Sequence, residues 1–402
     1  MQLLVVSFQM NRQHCRSFAA PAAVLLILVF VASASGKGGA NGNAGDVLLG
    51  AMQKEIDRAN SELGKLTPAP YFLSYEVQDE TYAIAAAEEG ALVSSVRTRR
   101  RWADVITHVG TPLLDNTHES SRSSAIRSGM LSTEDNPDAI ARQLWQLTYQ
   151  GYRGAAAAYL NVKTKHTVDA KEEDTSADFS QEKPEVHLDY KGPSPVADQK
   201  DLESLARKYS ARLRNVPFVY SSAVLISGTN GQTILINTEG TRIVYPTQLI
   251  RLMVYAQTRA DDGMDLMRVE TFQAESLAGL PSESEINTKI DKMISDIKAL
   301  RAAPLAEPYD GPALLSGRAA AVFFHEVLGH RLEGQRQRGE NEGRTFAKKI
   351  GEKVLPDFLS VSDDPTLHTA EGTDLSGWYQ FDSEGVPAQR VDLIKNGVLA
   401  II

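Results

Sequence analysis

The chain has 402 residues, enough for two or more domains, and its 42% hydrophobic and 23% charged residues are an ordinary globular balance. The net charge of -9 supplies no basic field to hold phosphates, which excludes a nucleic-acid scaffold. The one basic concentration is Arg97, Arg99, Arg100 and Arg101, expected on the solvated face of a strand.

Residues 1–34 are expected to be an export signal. Arg12 and Arg16 precede an apolar run from Ala22 to Val31, and Ala32-Ser33-Ala34 offers small residues for cleavage. The run is too short to span a bilayer comfortably, so no stable membrane anchor is expected. The pattern fits a start at Met10 better than one at Met1, which leaves the translation of residues 1–9 open. Cleavage after Ala34 would put the protein in the periplasm or outside the cell. It would also remove Cys15, the only cysteine, leaving neither a disulfide nor a thiolate ligand.

Residues 35–45 read as a flexible linker. Asp46 is placed to cap a helix through Leu63, with Leu48, Leu49, Met52, Ile56 and Ala59 at helical spacing. YFLSYEVQ, TYAIAAAEE, GALVSSVRT and WADVITHVG then predict short strands divided by glycine and acidic turns. Pro137 opens a long helix rich in Ala and Leu. The stretch 168–200 is polar and poor in aliphatics, and a mobile excursion is expected there.

A helix follows from Asp201 to Arg214, then an antiparallel meander in which Asn230-Gly231 signals a hairpin and Glu239-Gly240 a weaker one. Ser282 or Ser284 opens a helix through Leu300, and Ser316 is a cap for one more. Runs of strands with helices between them make this α+β. The expected division is an N-terminal α+β domain over 46–305. Residues 306–402 then hold the last helix and the start of a mostly antiparallel β domain.

That last helix carries HEVLGHRLEG, residues 325–334. His325, Glu326 and His330 are the residue types of a zinc-peptidase helix, but the usual spacing is H-E-x-x-H. Here one more residue separates the histidines. At about 100° per residue, positions five apart lie about 140° round a regular α-helix, too far to share one ion. The rings converge only if the helix is distorted between them, and a π-bulge near Leu328–Gly329 would absorb the extra residue. Apolar Ala320, Val322, Phe323, Phe324, Val327 and Leu328 surround the polar trio.

YDGPALLSGRAAAVFFHEVLGHRLEG, followed by FDSEGVPAQRVDLIKNGVLAII from Phe381, resembles the TldD/PmbA family, once called modulators of DNA gyrase. The match is good from Leu213 to Ile402 and loose over 46–212. The resemblance implies a zinc-dependent metallopeptidase acting on peptides or unfolded segments. His325 and His330 would be zinc ligands, with Glu326 activating a zinc-bound water. It also implies a homo- or heterodimer with a TldD/PmbA-type subunit.

Family members supply a third ligand, a cysteine, from further downstream, so it is expected beyond residue 402 in a truncated chain. The chain as given would then bind zinc weakly and be essentially inactive. Glu333, His368 and Asp382 are the substitutes within the sequence, although Glu333 reads better as a charge behind a ligand or at the helix end, His368 as an exposed loop residue and Asp382 as a turn former. The competing reading is a non-catalytic member acting as a scaffold or partner subunit. Gyrase regulation fits an exported acidic chain poorly.

Overall fold

The computed structural model describes residues 44–118, 122–168, 176–190, 197–334, 336, 344–370 and 373–401. The expected export signal and residues 35–43 of the expected linker lie outside them. Two compact units are found among the described residues: one comprises Leu48–Leu314 and Ser383–Gly385, the other is built mainly from Leu315–Asp382 and the residues from Val386 onward. Among the described residues, no helix is long and apolar enough to cross a membrane.

In the first unit α1 (Ala44–Leu63) leads into β1 (Pro70–Glu88), β2 (Ala91–Thr111), β3 (Leu114–Asp115) and β4 (Ile126–Leu131). Next come α2 (Pro137–Val168), β5 (Val186–Leu188), α3 (Gln199–Ser210), β6 (Ser221–Asn237), β7 (Arg242–Arg259), β8 (Asp265–Ala274) and α4 (Glu283–Ala302). One sheet runs in the order β3-β2-β1-β6-β7-β5, with β4 also on β2 and β8 on β7. All pairings are antiparallel except β5 with β7.

Odd-numbered side chains of β1 face the helices, as the two-residue period of a strand requires. At one end Tyr75 and Val77 pack with Met52 and Ile56 of α1 and Leu144 of α2. At the other, Ala83, Ala85 and Ala87 pack with Leu202 of α3 and Ile290 of α4. The start of α4 is fixed by a capping box: Ser282 Oγ accepts from Glu285 N–H and the Glu285 carboxylate from Ser282 N–H.

The short strands expected over 71–110 are in fact two long ones, of 19 and 21 residues. Asp79-Glu80-Thr81 looks like a turn in sequence, but pairing across to β2 neutralises its charges. Arg99 grips Asp79 through two bonds of 2.7 and 2.8 Å, and Arg100 reaches Glu80 at 3.0 Å. Arg101, expected in solvent, is fully buried instead. Its Nε lies 2.9 Å from Asp79 Oδ2, and its Nη1 donates to the Ser132 and Glu134 carbonyls, 3.0 Å each. Its Nη2 also donates to the Asp135 carboxylate, and two carboxylates with two carbonyls make this burial tolerable.

The Asn230-Gly231 hairpin is likewise absent. Gly231 sits in mid-strand, held on one side by β1 and on the other by β7. A Cβ there would lie 2.1 Å from the Asp79 carbonyl oxygen, so glycine serves a close backbone approach instead of a turn. Gly231→Ala is therefore expected to destabilise by about 1–3 kcal/mol. An unchanged urea midpoint would show that the strands separate freely at this point. The turn at Glu239-Gly240 is present, with Gly240 at φ +103°.

Part of the stretch expected to be mobile is built into the sheet. Residues 186–188 form β5, and Phe179 packs on Phe72 with ring centroids 4.7 Å apart. Polar bonds complete the attachment. Asp178 accepts from the Asp115 N–H at 2.8 Å and contacts His118 Nδ1 at 2.8 Å. Asp115, itself fully buried, accepts from Tyr71 Oη at 2.7 Å and meets His108 Nδ1 at 2.5 Å. Its other oxygen accepts from the Thr117 N–H and hydroxyl, 2.6 Å each.

The second unit contains α5 (Gly317–Phe324) and the short strands β9 (Val361–Asp363), β10 (Thr369–Ala370), β11 (Thr373–Asp374), β12 (Val391–Lys395) and β13 (Val398–Leu399). β13-β12-β9 form a three-stranded sheet, and β10 pairs with β11. Its core gathers Val361, Ile394 and Leu399 with Leu328 and Leu332.

Candidate metal centre

Ser316, extended at φ -134° and ψ 156°, precedes α5, and the helix keeps its α form as far as Phe324. It then widens. His325–Gly329 make one π turn, in which the His330 N–H donates to the His325 carbonyl five residues back. His330–Leu332 close the segment as a 3-10 turn. Gly329 lies inside the widened turn, where the lack of a side chain makes a departure from α geometry inexpensive. The extra residue of the motif is thus absorbed between the two histidines.

Burial fixes the far end of this segment. Leu328 and Leu332 are sunk into the core of the second unit, whereas α5 contributes no buried residue. The anchored leucines point one way, and the polar trio is left accessible.

The two imidazole centroids are 4.4 Å apart with the rings tilted by 68°. Glu326 Oε1 lies 3.9 Å from His325 Nε2, and its Oε2 lies 3.8 Å from His330 Nε2. One donor atom from each of the three residues falls within 4.8 Å of the others. Among the described residues, no other group of three or more His, Cys, Asp or Glu side chains does so. A zinc tetrahedron with bonds of about 2.1 Å has edges of about 3.4 Å, somewhat tighter than this spread. Two imidazoles and a carboxylate are the donor chemistry that zinc takes, and the set is close enough for side-chain rotation to gather it. The residues fit the ion.

The other residues singled out in the sequence lie elsewhere. Glu333 Oε1 contacts His330 Nδ1 at 2.7 Å, on the side of the ring away from Nε2. His368 stacks on Trp378 at 3.8 Å between centroids. Asp382 Oδ1 accepts from the Val386 N–H at 2.9 Å and shapes the turn at Gly385, whose φ is +87°. Neither His368 nor Asp382 joins the three-residue group. Arg336 was missed: its Nε donates to Glu333 Oε2 at 2.6 Å. The three-residue spacing of Glu333 and Arg336 was the available signal.

Residues 308–401 match the family described as PmbA/TldA metallopeptidase C-terminal domain. A metalloprotease of Methanocaldococcus jannaschii is 28% identical over 185 residues, 45% of this chain. The matched stretch spans only 38% of that relative's length. A zinc metalloprotease TldD homolog of Saccharolobus solfataricus is 29% identical over 108 residues, 27% of this chain and 22% of the relative. Among solved structures, a candidate modulator of DNA gyrase from Bacteroides thetaiotaomicron superposes with a TM-score of 0.53 at 12% identity. The superposition covers 87% of this chain and 71% of that one, a likeness of fold alone.

Proposed function

We propose that the chain is a zinc-dependent peptidase hydrolysing peptides or unfolded protein segments, since residues 308–401 match the PmbA/TldA metallopeptidase C-terminal domain and relatives similar to parts of the chain are named metalloproteases. The observation that carries this reading is the π turn. Without it, histidines five apart would point to different sides of the helix; with it, both approach one carboxylate.

In this reading His325 and His330 hold the ion through ring nitrogens, and the third protein ligand is the cysteine that the family resemblance implies. Bound zinc supplies Lewis acidity, polarising the scissile carbonyl and making water easier to deprotonate at neutral pH. Glu326 receives the proton of the attacking water and passes it to the departing amine, so one carboxylate serves as base and then as acid. The Glu326 side chain is 61% exposed, which leaves room for water and an extended peptide to reach it.

The test is metal content measured beside peptide cleavage on one preparation. The protein is expected to carry up to about one zinc per chain, and His325→Ala and His330→Ala to lose it. Zinc retained at the same affinity by both variants would sink the assignment.

A further inference from the structure

Glu333 does not join the group of donors around Glu326, yet among the described residues it makes the shortest polar contact to the His330 ring, 2.7 Å to Nδ1. We infer that Glu333, clamped by Arg336, is a positioning residue that holds His330 in the Nδ1–H tautomer and so presents Nε2 to the metal. The inference rests on the metallopeptidase reading only for the identity of the ion.

The local fold explains the contact. His330 opens the 3-10 turn that follows the π turn. Side chains three apart eclipse one another in a 3-10 turn, which places Glu333 directly against His330. The second carboxylate oxygen is held by Arg336 Nε at 2.6 Å. Side-chain exposures of 21% for His330 and 22% for Glu333 keep water from competing freely with the pair.

The hydrogen positions follow from the partners. Arg336 Nη2 also stands 3.4 Å from His330 Nδ1, and guanidinium can only donate. Nδ1 cannot both accept from Arg336 and donate to Glu333. The carboxylate contact is shorter by 0.7 Å and charge-assisted, so it decides: Nδ1 carries the proton. In the neutral ring the lone pair is then on Nε2, the nitrogen that faces Glu326. Ligating histidines commonly donate their second N–H to a carboxylate, which fixes the ring and raises its basicity.

The tautomer is read first, in the metal-free full chain, by nitrogen-15 NMR of the histidine rings on the alkaline plateau, where their shifts no longer change with pH. His330 is expected to show a protonated Nδ1 and an unprotonated Nε2. In Glu333→Ala it should lose this preference, and in Glu333→Gln it should keep it, because the amide oxygen still accepts. Zinc affinity, measured by chelator competition, is expected to fall about 10- to 100-fold in Glu333→Ala and to recover substantially in Glu333→Gln. A proton on Nε2 in the unchanged protein, or the same tautomer and affinity in Glu333→Ala, overturns the inference. Loss of metal in Glu333→Gln with the tautomer intact also overturns it, by making Glu333 a ligand. Failure of the peptidase reading leaves the metal-free tautomer untouched, so the two failures are distinguishable.

Discussion

Glu326→Gln is expected to keep the metal while lowering peptide hydrolysis by about 10²- to 10⁴-fold, the usual contribution of a positioned acid–base group. The amide is nearly isosteric and leaves both histidines in place, but it cannot accept the proton of an attacking water. The comparison is made in a preparation of this protein whose peptide hydrolysis is measurable, with zinc determined on the same sample. The carboxylate stands 3.8–3.9 Å from both Nε2 atoms, close enough to compete for the role of a ligand. The paired measurement separates the two roles: turnover lost with zinc retained identifies the base, and both lost together identifies a ligand. Unchanged turnover refutes both.

The second large effect concerns stability and lies in the first unit. Asp115→Ala should cost about 3–5 kcal/mol, the range for breaking a buried charged pair by removing one partner. Tyr71, His108 and Thr117 would each lose an acceptor at once. Burial alone would raise the Asp115 pKa, but the hydrogen bond and charge of His108, with the bonds from Thr117 and Tyr71, outweigh it and hold the carboxyl below its ordinary value.

A depressed folded pKa gives stability that is full above the unfolded value, about 3.9, and is lost as pH falls through the lower folded value. The unchanged protein should therefore lose this contribution below about pH 4, and Asp115→Ala should lack that part of its acid dependence. Urea denaturation across the acid range reads both. A shift smaller than about 1 kcal/mol at neutral pH would show that the cluster is only loosely coupled to folding.

What the sequence made legible depended on whether one local rule was decisive. The demand for a π turn followed from helix arithmetic alone, since two histidines and a glycine left little else that would join the rings. Helices α1 and α4 announced themselves through apolar periodicity, and α4 also through its cap; α1 begins at Ala44, so Asp46 lies in its first turn instead of capping it. The long strands did not, because Asp79 and Glu80 are turn formers until Arg99, Arg100 and Arg101 arrive from the next strand. Asn230-Gly231 failed similarly: the glycine answers a neighbour 152 residues earlier in the chain, the Asp79 carbonyl, which no local window contains. β5 and Asp178 were hidden by polarity, since hydrogen bonds to Asp115 and His118 do part of the attaching that apolar side chains ordinarily do.

The uneven anchoring of α5 has a mechanical consequence. Leu328 and Leu332 clamp the segment at its C-terminal end, Phe324 leans on the same core, and the helix before it, which contributes no buried residue, extends from that clamp as a cantilever. His325 stands at the root of the projecting arm and His330 at the clamp, with the π turn as the joint between them. Any ion held by both rings is a rivet across that joint. Rigidity of the arm and occupancy of the site then become one property, and amide exchange along Gly317–Phe324 becomes a gauge of metal loading that requires no substrate.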